Sequence, residues 1–262
     1  MTPSREGDSP TFDAIVVGAG FSGLYALHRL RSMGLTVRVY ESGDGVGGTW
    51  YWNRYPGCRC DVESVAYSYS FSDELEQDWS WTERYPAQPE ILRYLEHVAD
   101  RFELRPHIEL ATRVTAATYD DTVDRWLVET DSGRRSSASF LVMASGNLST
   151  LQLPRLRGLE TFAGAVYHTG NWPHERVDFT GARVGVIGTG SSGIQAIPAI
   201  AREAEQLVVF QRTPNFSVPA RNRPLDDAYV RDVKNNYREL REKARASGAG
   251  LPVDPPPRRR WP

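Results

Sequence analysis

The chain has 262 residues, of which 40% are hydrophobic and 24% charged, and its formal net charge is −2; this is the balance of a globular protein long enough for two modest domains. So slight a charge gives no electrostatic reason for a nucleic-acid or anionic-membrane partner, no apolar run approaches membrane-spanning length, and Met1–Pro10 lacks the hydrophobic stretch of a signal peptide. Cys58 and Cys60, the only cysteines, stand one residue apart, which fits neither a CxxC redox pair nor half of a zinc site; no metal is expected, and a reducing, cytoplasmic setting is.

Residues 1–10 read as a disordered N-terminus. The apolar run Ala14-Ile15-Val16-Val17 then feeds Gly18-Ala19-Gly20-Phe21-Ser22-Gly23, followed by a helical stretch with Leu24, Leu27, Leu30 and Met33 on roughly one face. Gly34 stops that helix, and a second strand, Val37–Tyr40, ends in Glu41. In such a unit the first glycine makes the turn, the second lets the backbone approach a pyrophosphate, and the third lets the helix pack on its strand. The phosphates would rest on free N–H groups at the helix N-terminus. Glu41 lies 18 residues past Gly23, where a carboxylate accepts hydrogen bonds from both ribose hydroxyls, so the unit reads as a site for FAD or NAD.

From Gly43 to Pro86 the chain is rich in aromatics, glycine and turn formers and reads as a long structured loop lining a site. Pro89 suits the first residue of a helix whose Ile91, Leu92, Leu95, Val98, Ala99 and Phe102 recur at helical spacing. Strand patterns follow at 112–119 and 125–130, with a turn at Asp131-Ser132-Gly133, and Phe140–Ala144 reads as a buried strand returning to the parallel sheet. Beyond a linker with Pro154 and Gly158 the same design recurs: Val184–Ile187 feeds Gly188-Thr189-Gly190-Ser191-Ser192-Gly193, and the next strand is Leu207–Phe210. Here the position equivalent to Glu41 is Gln211, with Arg212 next. An amide beside a guanidinium welcomes the 2′-phosphate that a carboxylate would repel, so this site reads as one for NADPH. Tyr229, Val233, Tyr237 and Leu240 then mark an amphipathic helix from Asp226 to about Ala246, and the proline-rich end at 252–262 reads as a linker with a solvated Arg258-Arg259-Arg260 tail.

Between the two fingerprints, Phe162, Gly164, His168, Trp172 and Pro173 spell FxGxxxHxxxWP, and in this the chain resembles the type I Baeyer–Villiger monooxygenases. The segments Gly47–Ser64 and Val209–Asn215 resemble that family's flavin loop and NADP-phosphate segment. Relatives that oxygenate nitrogen or sulfur usually carry Tyr or Phe at the position of Trp172, which favours the ketone-oxidising branch. The resemblance implies that Gly18, Gly20, Gly23 and Glu41 hold the FAD pyrophosphate and ribose, that Thr49, Trp50, Asp61 and Tyr67 hold the flavin end, and that the Val114 backbone reaches the adenine. It implies that Gly188, Gly190, Ser191, Ser192 and Gly193 take the NADPH pyrophosphate and Arg212 with Thr213 its 2′-phosphate. Arg59, Cys60 and Asp61 would lie near the nicotinamide, with Asp61 and Arg59 as catalytic candidates, while Phe162, Gly164, His168, Trp172 and Pro173 would form a conformational linker. Plainer readings stand beside these: His168 as a packing residue, Trp50 and Trp52 as core, and Asp61 as the cap of a helix starting near Val62.

The fold implied is α/β: two dinucleotide-binding, Rossmann-like βαβ domains, each a parallel sheet with helices, the first carrying a small antiparallel β-meander. The expected boundaries are 11–150 for the FAD domain and 151–262 for the linker and NADPH domain, with a helical insertion from about 224. The implied reaction uses NADPH, FAD and O2 to insert one oxygen next to a ketone carbonyl, giving an ester or lactone. In this family the oxyanion is stabilised by an arginine well beyond the second fingerprint, with the flavin-loop aspartate beside it. No such arginine follows here, and the family's chains are roughly twice as long, so residues 1–262 alone are expected to be inactive. Two alternatives stay open: a catalytically silent nucleotide-binding remnant, and one half of a split protein whose partner is a complementing C-terminal chain.

Overall fold

A computed structural model describes residues 9–248 and 250–252 of the chain. The N-terminal residues 1–8 and the proline- and arginine-rich end from 253 onward, read above as a disordered start and a linker, lie outside the described residues. In chain order the elements are β1 (Thr11–Val17), α1 (Phe21–Ser32), β2 (Val37–Tyr40), α2 (Thr49–Trp52), α3 (Asp73–Asp78), α4 (Gln88–Arg101), β3 (Ile108–Glu109), β4 (Val114–Asp120), β5 (Arg125–Thr130), β6 (Arg135–Met143), β7 (Arg183–Ile187), α5 (Ser191–Ile200), β8 (Gln206–Phe210) and α6 (Asp227–Ala246). They fall into two compact units, one made of Met1–Tyr55 and Ile91–Asp178, the other of Pro56–Glu90 and Phe179–Pro262. The division thus does not follow a single cut near residue 150, because Pro56–Glu90 makes its contacts with the later part of the chain.

The first unit is built on a six-stranded sheet in the order β3-β2-β1-β6-β5-β4. β1 pairs in parallel with β2 and β6, and β2 with β3, whereas β4, β5 and β6 pair antiparallel. The expected antiparallel meander is β4-β5-β6, and β6 joins it to the parallel strands. β6 is one continuous strand whose Arg135–Ala138 stretch pairs with β5 while Ser137–Met143 runs beside β1. Ile15, Tyr40, Val128 and Ala138 close a buried cluster across those strands, with Phe12, Val114 and Leu141 packed against it. α1 buries Leu24 and Leu27, and α4 buries Ile91, Tyr94, Leu95, Val98 and Ala99, the stripe its 3.6-residue spacing calls for. Phe21 meets Tyr94 and His28 meets Phe102, which joins the two helices.

In the second unit β7 and β8 pair in parallel over their full length, from Arg183↔Gln206 to Ile187↔Phe210, and α5 connects them. α6 starts on Asp226, whose side chain accepts from the Tyr229 N–H, and buries Val233 and Tyr237. The region read as one long loop carries two short helices, α2 in the first unit and α3 in the second, the latter capped by Ser72. No helix among the described residues is long and apolar enough to cross a membrane.

Candidate functional site

In the first unit β1 ends at Val17 and the chain turns through Gly18, which takes a left-handed φ of +103°. A Cβ there would lie 2.6 Å from the Ala144 carbonyl oxygen. A methyl group at Gly23 would overlap the carbonyl oxygen of Gly18, so α1 packs onto the turn as closely as glycine allows. Gly20 is the N-cap of α1, offers no capping side chain, and is followed by no acid in the first turn. The helix N-terminus therefore keeps unmatched N–H groups and a positive end. Gly48 closes on this turn from the other side, where a Cβ would come within 2.8 Å of the Gly20 Cα. That contact explains Gly48, whereas Gly47 has a φ of +129° and a Cβ there would meet the Leu92 side chain at 2.5 Å.

Glu41 is buried at the end of β2. Its carboxylate accepts from the Ala19 N–H at 2.7 Å, the Gly43 N–H at 2.8 Å and the Ser42 hydroxyl at 3.3 Å. A carboxylate offers about four lone-pair sites, so it retains acceptor capacity beyond these bonds. Residues 109–112 run beside 41–43 through Glu41 N–H to Glu109 C=O, Ala111 N–H to Gly43 C=O and Thr112 N–H to Glu41 C=O, which brings Thr112, two residues before Val114, next to Glu41. Thr49 opens α2 and is exposed, whereas Trp50 behind it is 7% exposed and belongs to the core. Gly18, Gly20, Gly23, Glu41, Thr49 and Val114 thus gather in one unit.

The FxGxxxHxxxWP segment closes on itself, also within this unit. Gly164 lies against the Phe162 ring, which a Cβ would approach to 2.6 Å. His168 Nδ1 accepts from the Gly170 N–H at 3.0 Å, His168 bridges to Asn171, and Tyr167 stacks on Trp172 with centroids 5.4 Å apart. His168 is thereby the hydrogen-bonded centre of a turn. His174, just past Pro173, meets the Tyr51 ring edge-on at 5.1 Å.

The second fingerprint repeats the geometry with one difference. Gly188 again has a left-handed φ, +102°, and a Cβ at Gly193 would come within 2.5 Å of the Gly188 carbonyl oxygen. A Cβ at Gly190, however, would have only the Asn215 amide within reach, at 3.9 Å, so the backbone here borders open space. α5 begins after Gly190 without a capping side chain or an acid in its first turn, and Ser191 and Ser192 open it. Gln211 donates to the Thr189 hydroxyl at 2.9 Å and Asn215 to the Thr189 carbonyl at 2.8 Å, which ties the end of β8 to the glycine turn. Arg212 and Thr213 are exposed beside it, and among the described residues no carboxylate pairs with the Arg212 guanidinium.

Arg59, Asp61 and Tyr67 belong to this second unit. The Arg59 guanidinium is 3.3 Å from the Glu83 carboxylate and donates to the Tyr85 carbonyl at 3.0 Å, so its charge is already matched. Asn222 donates to the same Glu83 oxygen. No helix starts near Val62: Ala66 and Tyr67 N–H groups both bond the Glu63 carbonyl in a turn, and the capping reading of Asp61 gives way. The Asp61 carboxylate instead accepts from Gln195 of α5 at 2.9 Å. Tyr67 is flanked by Ala66, Ser68 and Tyr69, all of which Arg241 of α6 holds by hydrogen bonds. Neither Gln195 nor Arg241 was found from the sequence. Each lies more than a hundred residues from its partners and follows no motif that announces the contact. Among the described residues no cluster of His, Cys, Asp or Glu has the makings of a metal site.

Cys58 and Cys60 flank Arg59 and are buried, and burial pushes the Cys60 thiol up to about 11. At pH 8 a thiol of that pKa is thiolate in about one molecule per thousand, against about one in ten for a cysteine at the unshifted value of 9.0. Cys60 of the folded chain is expected to react with a thiol-specific disulfide reagent about a hundredfold more slowly than Cys60 of the unfolded chain. Rapid labelling of both thiols under native conditions would show the 58–61 loop to be open.

Comparison with known proteins agrees with this geometry. The model of the flavin-binding monooxygenase-like family matches residues 13–240. Phenazine N-monooxygenase PhzNO1 of Lysobacter antibioticus is 46% identical over 92% of this chain and 45% of its own length. A Baeyer–Villiger monooxygenase of Pseudooceanicola batsensis is 49% identical over 86% of this chain and 42% of its own. Among solved structures, an oxidized steroid monooxygenase bound to NADP is 61% identical with a TM-score of 0.91, covering 95% of this chain and 48% of that one. The chain therefore spans about half the length of the curated relatives it matches.

Proposed function

The chain belongs to the flavin-binding monooxygenase-like family, and from that premise we propose that it forms the FAD- and NADPH-binding part of a monooxygenase that inserts oxygen next to a ketone carbonyl. The observation that carries the cofactor reading is the pair of helix N-termini. α3 and α6 are capped by Ser72 and Asp226, whereas α1 and α5, each behind a glycine turn, carry no capping side chain and no first-turn acid; α2 is uncapped too, but its single turn, Thr49–Trp52, sums little dipole. Two unmatched positive helix ends suit two pyrophosphates.

FAD fits the first unit. The α1 N–H groups would donate to its phosphates, Glu41 would accept from its ribose with the capacity its backbone bonds leave, and the Val114 backbone would meet its adenine. Thr49 would meet the flavin end, with Asp61 and Tyr67 the further flavin residues that the resemblance implies. NADPH fits the second unit, where Gly190 borders open space, Ser191 and Ser192 open α5, and the exposed Arg212 with Thr213 would receive the 2′-phosphate. Together the two cofactors supply the electrons and activate O2 for transfer of one oxygen atom to the ketone.

The chain's own residues bind and orient. Asp61 lies near the nicotinamide end, where the Arg59 side chain anchors the loop through Glu83 and is not an open cation. The closed turn around His168 and Trp172 acts as a conformational linker and transfers no proton. Trp172 and the Baeyer–Villiger relatives favour a ketone substrate; a nitrogen substrate is the second reading, favoured by the phenazine N-monooxygenase. A cytoplasmic location and small-molecule partners complete the proposal.

The test is reconstitution. The purified chain should retain a flavin that denaturation releases as FAD, and should bind NADPH more tightly than NADH. Arg212→Ala removes a charge-assisted phosphate contact and should cut NADPH affinity by about ten- to a hundredfold while leaving NADH alone. Equal binding of the two nucleotides by the unmutated chain would defeat the assignment of the second site.

A further inference from the structure

The amide of Gln195 spans the segment that carries Arg59 and Asp61. Its Oε1 accepts from the Arg59 N–H at 3.2 Å, and its Nε2 donates to the Arg59 carbonyl at 3.1 Å and to the Asp61 carboxylate at 2.9 Å. Acceptor and donor are thus used against one residue's backbone and the next acid's side chain, 134 to 136 residues away in sequence. The approach is close along the whole loop. Gly57 has a φ of +80°, and a Cβ there would overlap the carbonyl oxygen of Gln195 itself, so the chain lies directly on the helix backbone. Arg59 is fixed on its other side by Glu83 and the Tyr85 carbonyl, and the Cys60 N–H bonds the Pro86 carbonyl.

Gln195 lies on α5 about one helical turn beyond Ser191, the residue that opens the helix at the glycine fingerprint. One side chain therefore ties the seat of a dinucleotide's phosphates to the acid proposed for its nicotinamide end. We infer that Gln195 is a positioning residue: it sets the Asp61 carboxylate and the Arg59–Asp61 backbone at a fixed distance from the NADPH-binding helix, and it governs how the nicotinamide half of the cofactor is held. The inference rests on the NADPH reading above and adds to it a residue outside the glycine motif.

The experiment separates the two halves of the nucleotide. NADPH and adenosine 2′,5′-bisphosphate, which has the 2′-phosphate and no nicotinamide, are titrated against the wild-type chain, Gln195→Met, Gln195→Glu, and Gln195→Glu combined with Asp61→Asn. Gln195→Met removes all three hydrogen bonds, one of them charge-assisted, and should weaken NADPH about tenfold and the bisphosphate less than about twofold, since all three lie away from the phosphates. Gln195→Glu sets two carboxylates against each other and should lose more. Adding Asp61→Asn restores a donor to that contact and should recover part of the loss. A general disturbance of α5 would weaken both ligands equally and would not be rescued by Asp61→Asn; that pattern overturns the inference, as does unchanged NADPH binding in Gln195→Met. If the wild-type chain bound neither ligand, the NADPH reading itself would fail and the inference with it, an outcome distinct from the other two.

Discussion

Replacing Gly23 with alanine is expected to strip the chain of FAD while leaving NADPH binding in place. The added methyl would overlap the Gly18 carbonyl oxygen, and neither atom has room to yield. Gly18 is held from behind by the Ala144 carbonyl, 2.6 Å from where its own Cβ would be, and its N–H is bonded to the Tyr40 carbonyl at 2.8 Å. α1 must therefore move away from β1 and take its N-terminus off the phosphate position. Forced separation of packed elements costs about 3 kcal/mol at the upper end of overpacking effects, or about a hundredfold in any affinity that depends on the displaced N–H groups. The second fingerprint belongs to the other unit and has its own counterpart, Gly193 against Gly188, so Gly193→Ala should produce the reverse pattern. Flavin content and nucleotide titrations on the two variants read both outcomes. Wild-type flavin content in Gly23→Ala would mean that the N-terminus of α1 does not seat the cofactor.

What could be read in advance follows from how local each signal is. Strand, glycine turn, helix and second strand lie within about thirty residues of one another, and each piece constrains the next. β1, α1, β2 and Glu41 therefore stand where the pattern put them, as do β7, α5 and β8. The FxGxxxHxxxWP segment is equally local, its contacts running between Phe162 and Gly164, His168 and Gly170, and Tyr167 and Trp172.

Signals that depend on register were lost. The first half of β6, Arg135-Ser136-Ser137-Ala138-Ser139, is polar and small and shows no strand pattern; pairing on both sides, with β5 and β1, makes it a strand. β3 is two residues long, too short for alternation, and exists because Ile108 and Glu109 pair with Val39 and Tyr40. α3 has a polar sequence, Asp73–Asp78, that buries only Leu75 and gives no amphipathic run to detect. The side chains that organise the 56–90 segment, Gln195 and Arg241, come from helices far along the chain, and no local pattern announces their contacts.

Arg241→Met is expected to be the most destabilising single change in the second unit. The side chains of Arg241 and Glu76 are only 12% and 8% exposed, and they pair at 2.8 Å. The rest of the guanidinium fork donates to the Ala66 carbonyl at 3.2 Å, the Ser68 hydroxyl at 2.8 Å and the Tyr69 carbonyl at 3.2 Å, while the group lies over the Tyr237 ring. Burial holds the Tyr237 phenol up at about 12, a sign of how dry this side of α6 is. Methionine fills much of the volume but leaves Glu76 buried without a counter-charge and three acceptors without a donor. Breaking such a pair from one side costs about 3–5 kcal/mol. The denaturant midpoint should fall with little change in slope, since the surface exposed on unfolding is nearly the same. Arg241→Lys keeps the charge but cannot form the fork, so its loss should be intermediate. Adding Glu76→Gln to Arg241→Met removes the stranded charge and should return part of the stability, which separates the ion pair from simple packing. Because the same fork orders the residues on either side of Tyr67, the proposed flavin contact, a folded Arg241→Lys protein should also show an altered flavin spectrum. A Lys variant with wild-type stability would mean that charge alone, and not the five-donor geometry of arginine, holds this loop.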